Sequence, residues 1–78
     1  MTTNTSVIQV GAIYKHFKGH VYEVIALAKH SETREDMVVY RSIDDASDVW
    51  TRPASMFLEH VEKPEHSYSG PRFLLQSP

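Results

Sequence analysis

The stretch Val21–Arg41, VYEVIALAKHSETREDMVVYR, holds the two longest apolar runs of the chain and joins them through a polar connection. β-Branched and aromatic residues are frequent in both runs, which favours strands over helices. The connecting residues 30–36 include Ser, Thr and Asp, whose side chains hydrogen-bond the backbone in turns. The stretch therefore predicts a central β-hairpin. Because the first run is apolar on both alternating faces, we expect it to be covered on both sides, as a bent strand of a small barrel is.

The segments around this hairpin predict further strands. Residues 11–17 alternate between apolar and polar positions, and Gly19 then permits a tight reversal into the hairpin. Residues 49–52 form a short fourth strand after an aspartate-rich turn. Pro53 suits the first position of a helical turn, so we expect one such turn there, before a last strand at residues 58–61. The pattern predicts an all-β fold of five strands with one helical turn before the last.

The two ends of the chain differ in composition from this predicted core, which we place in a single domain at residues 9–62. Residues 1–8 are rich in Thr, Ser and Asn and are predicted to form a disordered tail. Residues 63–78 are predicted to be a polar linker followed by an apolar C-terminal segment. Within that segment, we expect Pro71–Leu75 to pack on an exposed strand edge, either in its own chain or across a homodimer.

The composition excludes some classes of protein. Ten acidic and eight basic residues are interspersed and give a net charge of −2, which argues against a strongly electropositive nucleic-acid binder but allows a local basic face. The absence of cysteine excludes a disulfide framework and a thiolate zinc site. No window approaches the roughly 18 apolar residues of a membrane span, and the N-terminus lacks a signal-peptide pattern. We therefore expect a soluble, cytoplasmic protein that does not bind a membrane.

The chain has five histidines, and neutral imidazole is a common metal ligand and acid–base group. Their spacing matches neither helical zinc motifs nor finger-like patterns, and we expect His16 and His20 to diverge from the turn that they flank. A serine near a histidine, without an orienting acid or oxyanion donors, is weak support for a hydrolase. We predict no metal, no cofactor and no enzyme. A hydrolase or metal-dependent enzyme that uses His16, His30 and Glu32 is kept as an alternative.

The connection within the hairpin is a candidate ligand site. His30, Glu32 and Arg34 offer an imidazole, a carboxylate and a guanidinium on one loop, together with two hydroxyls. The alternative is that Ser31 and Thr33 hydrogen-bond the loop backbone while the charged side chains are solvated.

A second candidate site combines aromatic and basic residues at strand ends. Arg41 and Arg52 each follow an aromatic residue closely, and a planar guanidinium can clamp a carboxylate or phosphate or stack on a ring. Small barrels hold peptides and single-stranded nucleic acids in grooves of this composition. The alternative is that the aromatic residues are core and that the arginines pair with glutamates. The residues that we expect to line this groove are Tyr14, His16, Lys18, Tyr40, Arg41, Trp50 and Arg52.

These patterns favour a non-enzymatic binding module that recognises an extended peptide or a partner protein through the groove. The alternative from a different class is binding of RNA or single-stranded DNA by the same face. Salt separates the two, because phosphate contacts weaken steeply as ionic strength rises.

Several motifs carry a resemblance to a known family. They are Tyr14-x-His16-Phe17-Lys18-Gly19, His30-Ser31-Glu32-Thr33, Val39-Tyr40-Arg41 and Trp50-x-Arg52-Pro53-x-x-Met56-Phe57. In this order, over residues 11–61 and again at residues 71–73, the chain resembles the short bacterial proteins of the DUF1653 family, whose function is unassigned. The resemblance implies a small SH3-like barrel, in keeping with the strand count, and implies no reaction.

Overall fold

The computed structural model describes residues 8–77 and contains seven strands, one short α-helix and one 3-10 helix. Within those residues, no helix is long and apolar enough to cross a membrane. The elements in chain order are β1 (Ile13–His16), β2 (Val21–Lys29), β3 (Asp36–Ser42), β4 (Val49–Pro53), α1 (Ala54–Phe57), β5 (His60–Lys63), the 3-10 helix (Pro64–His66), β6 (Tyr68–Pro71) and β7 (Phe73–Ser77).

The predicted hairpin forms the centre of the main sheet, as β2 and β3. This sheet is antiparallel throughout and has the strand order β4-β3-β2-β1-β7, while β5 and β6 pair in a separate two-stranded sheet. The predicted all-β class is confirmed, and so is the helical turn after Pro53. The strand count differs from the prediction of five, because residues 63–78 contribute two further strands, β6 and β7. The segment expected to be the last barrel strand pairs with β6. The strand pairing of residues 8–77 closes no barrel.

The C-terminal segment is part of the fold. Pro64 begins the 3-10 helix, and Gly70 pairs with Val61 across β6 and β5, so the residues expected to be a linker are structured. β7 then adds to the free edge of β1, with Phe73 opposite His16. Residues 73–75 therefore pair with an edge of their own chain, and pairing across a homodimer stays a prediction.

The core lies between the main sheet and α1, and aromatic rings dominate it. Phe57 of α1 stacks on Phe73 of β7 with centroids 4.1 Å apart, and Tyr14 meets Phe57 edge-on at 5.1 Å. Ile8 is also buried, so it does not belong to the predicted tail; the rest of that tail, residues 1–7, lies outside the described residues. The buried cluster comprises Ile8, Ala12, Tyr14, Val24, Val38, Tyr40, Ala54, Phe57 and Phe73.

The outer half of β2 departs from the prediction that both of its faces are covered. β1 pairs only with residues 21–23, and a bulge follows between Val24 and Ala26. Beyond the bulge, β2 continues beside β3 alone, and Leu27 is 41% exposed. Ala28 is exposed as well, so the end of this apolar run projects into solvent although β3 pairs with it up to Lys29.

Candidate functional site

One concavity of the main sheet gathers aromatic and basic side chains, and we call it the basic aromatic groove. Its volume is about 230 Å³. Its walls come from β1, the turn after it, β2, β3, β4 and β7. The lining residues are His16, Lys18, His20, Tyr22, Tyr40, Trp50, Arg52 and Phe73.

The antiparallel register explains why these side chains meet. Residues two apart on a strand share a face, and directly paired residues on neighbouring strands lie on the same face. Tyr40 pairs with Trp50, and Arg52 follows Trp50 by two positions, so all three face the groove. Tyr40 is buried, whereas Trp50, on the edge strand, is 50% exposed. The outer aromatic residue is therefore accessible and the inner one is core.

Arg52 has a guanidinium without a carboxylate partner in the described residues. Its Nε donates to the Tyr40 hydroxyl at 3.3 Å, and its Cζ lies 5.9 Å from the centroid of the Phe73 ring. No carboxylate from residues 8–77 lines the groove. The ion pairs within residues 8–77 are Lys29–Asp36, Arg41–Glu23 and Arg72–Glu59. The remaining guanidinium nitrogens of Arg52 can thus bind an anion from outside the chain.

His16 lies in a positive environment at the base of the groove. Burial, as the largest cause, and the charges of Arg52, Arg72, Lys18 and His20 together lower the pKa of its imidazole to about 4. Its Nδ1 accepts a hydrogen bond from the backbone N–H of Lys18 at 3.1 Å, which requires that nitrogen to be unprotonated. The ring is therefore neutral near pH 7.

This pKa predicts a specific loss of stability in acid. The unfolded chain binds a proton at His16 near pH 6.5, whereas the folded protein binds it only near pH 4. The contribution of neutral His16 to the free energy of unfolding is therefore complete above pH 6.5 and is lost as the pH falls towards 4. Solvent screening at the partly exposed ring limits the expected loss to about 1 kcal/mol. Urea unfolding of the wild type and His16→Gln from pH 7 to pH 4 measures it. A stability difference between the two proteins that does not change with pH would contradict this assignment.

Two of the predicted groove residues, Tyr14 and Arg41, do not line the groove. Tyr14 is buried in the core beneath the groove. Arg41 lies on the opposite face of the sheet, where its Nε and Nη2 donate to Glu23 at 2.9 and 2.7 Å. Adjacent strand residues face opposite sides, so Arg41 cannot share a face with Tyr40. His16, Lys18, Trp50 and Arg52 are the predicted residues that line the groove together with Tyr40.

The hairpin connection is held by its own hydrogen bonds. Nδ1 of His30 accepts the backbone N–H groups of Glu32 at 3.1 Å and Thr33 at 3.3 Å, and Thr33 Oγ1 accepts the N–H of Glu35 at 3.2 Å. These contacts match the alternative in which side chains of the loop hydrogen-bond its backbone, although the side chains that do so are His30 and Thr33 and not Ser31. His30 and Glu32 lie in this connection, whereas His16 lines the groove. Within residues 8–77, no three metal-ligating side chains are grouped to hold a metal ion.

Three lining residues, His20, Tyr22 and Phe73, were not predicted from the sequence. His20 was expected to diverge from His16, but the tight turn keeps both on the groove: the His16 N–H bonds the His20 carbonyl at 2.8 Å, and Gly19 has a φ of 104°. Tyr22 could have been found from the register, since it pairs with Tyr14. Phe73 had no local signal, because it reaches the groove through long-range pairing with His16.

Comparisons with known proteins agree on the family. The family model described as "Protein of unknown function (DUF1653)" matches residues 12–75. The crystal structure of a DUF1653 protein from Bordetella bronchiseptica is similar to this chain, with 27% sequence identity, coverage of 91% of both chains and a TM-score of 0.76. No curated protein matches the chain. Since the family model matches most of the sequence, this chain belongs to the DUF1653 family.

Proposed function

We propose that this protein is a non-enzymatic binding module that holds an extended acidic peptide of a cytoplasmic partner protein in the basic aromatic groove. The observation that carries the proposal is the guanidinium of Arg52, which has no carboxylate partner among residues 8–77 and lies beside the exposed ring of Trp50. An acidic side chain supplies the missing charge, and an adjacent apolar side chain can pack on the indole.

The size of the groove supports a side chain as the ligand. Pockets for small-molecule substrates usually enclose about 300–1,000 Å³ and bury most of the ligand. The groove holds about 230 Å³ and is open to solvent at Trp50. It therefore suits one or two side chains of a longer segment.

The charges around the groove favour a peptide over a nucleic acid. Among the described residues, Lys18 and Arg52 are the permanent cations that line it. The turn after β3 carries Asp44, Asp45 and Asp48, and Asp48 is near enough to Tyr22 to raise its pKa, after burial and Tyr40. A nucleic acid carries a phosphate at every nucleotide, so a strand that extended past the groove would meet these carboxylates. A short peptide can place its acidic side chains at Lys18 and Arg52 and other side chains beyond the groove.

Trp50 offers a direct readout, because it is the only tryptophan of the chain. We expect its fluorescence to change on titration with a pool of random decapeptides rich in aspartate and glutamate, and not with a pool rich in lysine and arginine. Arg52→Gln should weaken binding of the acidic pool about tenfold or more, since it removes a charge-assisted hydrogen bond.

Arg41→Gln is the matched control, because it makes the same change on the neighbouring strand but on the opposite face. It should leave binding unchanged. Equal binding of both pools, or of the wild type and Arg52→Gln, would refute the proposal. A pool of short single-stranded RNAs, titrated at low and moderate salt, tests the other class. RNA binding that is stronger than peptide binding and falls steeply as salt rises would show that the ligand of the groove is a nucleic acid and not a peptide.

A further inference from the structure

β4 is the edge strand that borders the basic aromatic groove, and one of its two sides is unpaired. The main sheet begins with β4, which pairs with β3 alone in the described part of the chain. Val49 and Trp50 are each half exposed, and Thr51 is exposed as well. An unpaired edge strand presents a row of N–H and C=O groups that another extended segment can join.

The hydrogen-bond pattern shows which groups of β4 point outward. The Ser42 N–H donates to the Asp48 carbonyl at 3.0 Å, at the end of the β3–β4 ladder. Backbone groups alternate in direction along an antiparallel strand. The N–H and C=O groups of Trp50 and Arg52 therefore hydrogen-bond β3, while those of Val49 and Thr51 point away from the sheet. Pro53 continues the outward series, where its missing N–H costs the ladder nothing.

We propose that the acidic peptide binds by adding a strand to the free edge of β4, with alternate side chains directed into the groove. This inference rests on the proposed function and specifies its geometry. Adjacent strands lie about 4.8 Å apart, so side chains of the added strand would reach Trp50 and Arg52 directly. Main-chain hydrogen bonds to Val49 and Thr51 would supply affinity, and the charge of Arg52 would select an acidic side chain at the peptide position next to it.

Backbone methylation of a peptide tests this geometry. The probe is an octapeptide of alternating glutamate and valine, titrated against the Trp50 fluorescence. In an added strand, the N–H groups of only one of the two residue types face β4. We therefore expect N-methylation of one residue type to abolish binding and N-methylation of the other type to leave it within a fewfold. Loss with both modified peptides, or with neither, would overturn strand addition.

A protein variant tests the backbone groups of β4 that would form the same hydrogen bonds. Thr51→Pro removes an outward N–H and should weaken the octapeptide at least tenfold. Thr51→Val is the matched control: it loses the hydroxyl that donates to the Val38 carbonyl at 3.2 Å, but it keeps the N–H and should bind normally. Equal binding by the two variants would overturn strand addition. If Thr51→Pro does not fold, the experiment with the methylated peptides tests strand addition instead.

The outcomes separate this inference from the proposed function. If the acidic decapeptide pool binds through Arg52 but the octapeptide does not bind, strand addition fails and the proposed function stands. If neither binds, both fail. Dimerisation of the free protein that Thr51→Pro abolishes would assign the β4 edge to a second copy of the chain and overturn the inference.

Discussion

Replacing Phe57 by alanine is expected to lower the free energy of unfolding by about 3–5 kcal/mol, close to the whole stability of a domain of this size. The side chain is 1% exposed and stacks on Phe73 with an interplanar angle of 7°. Its loss would leave a cavity at the centre of the aromatic core, which the strands cannot close without breaking their register. Urea unfolding followed by circular dichroism measures the change.

Met56→Ala is the control for this substitution. Met56 lies in the same helical turn but is 43% exposed, so its truncation should cost no more than about 0.5 kcal/mol. If Phe57→Ala leaves too little folded protein to measure, Phe57→Leu should show a smaller loss of about 1–2 kcal/mol. Equal unfolding midpoints for Phe57→Ala and Met56→Ala would show that α1 does not support the core.

Deleting residues 72–78 is the second change with a large expected effect. It removes Phe73 from the core and uncovers the edge of β1. It also removes the Arg72 backbone, whose N–H bonds the Glu59 carbonyl at 2.8 Å and whose carbonyl accepts the Phe17 N–H at 3.1 Å. We expect the cooperative thermal transition to be lost and the protein to associate through the uncovered edge.

Ending the chain after Leu75 is the matched truncation. It keeps the pairs of β7 with His16, Lys15 and Tyr14, so the melting temperature should fall by only a few degrees. Differential scanning calorimetry and size-exclusion chromatography compare the two. A cooperative, monomeric protein without residues 72–78 would mean that β7 is dispensable for the core.

The parts of the fold that the sequence predicts are those set by local rules. The hairpin follows from two apolar β-branched runs around a polar connection, and the turn of α1 follows from Pro53. The pairing of residues 58–61 and the role of Phe73 depend on segments far apart in the chain. Their local composition is compatible with several pairing partners, so residues 58–61 were predicted to lie in a barrel and Phe73 to lie outside the domain.

The groove could be predicted from the sequence only in part. Composition and strand ends pointed to His16, Lys18, Trp50 and Arg52, which the structure brings together. Arg41 could have been excluded, because a residue next to Tyr40 on a strand must face the other side. The exposure of Trp50 had no sequence signal, since it follows from the position of β4 at the edge of the sheet.

The pairing of β7 with β1 also orders the events of folding. Tyr14 lies opposite Leu75, so β1 leaves the ribosome well before the strand that it pairs with on this side. The β2–β3 hairpin can form early from local contacts, whereas this closure is a slow, long-range search. Until β7 has been synthesised, β1 presents an open edge and the aromatic core lacks Phe73. During that interval the open edge of β1 is available for pairing with other chains, which is how unpaired edge strands aggregate.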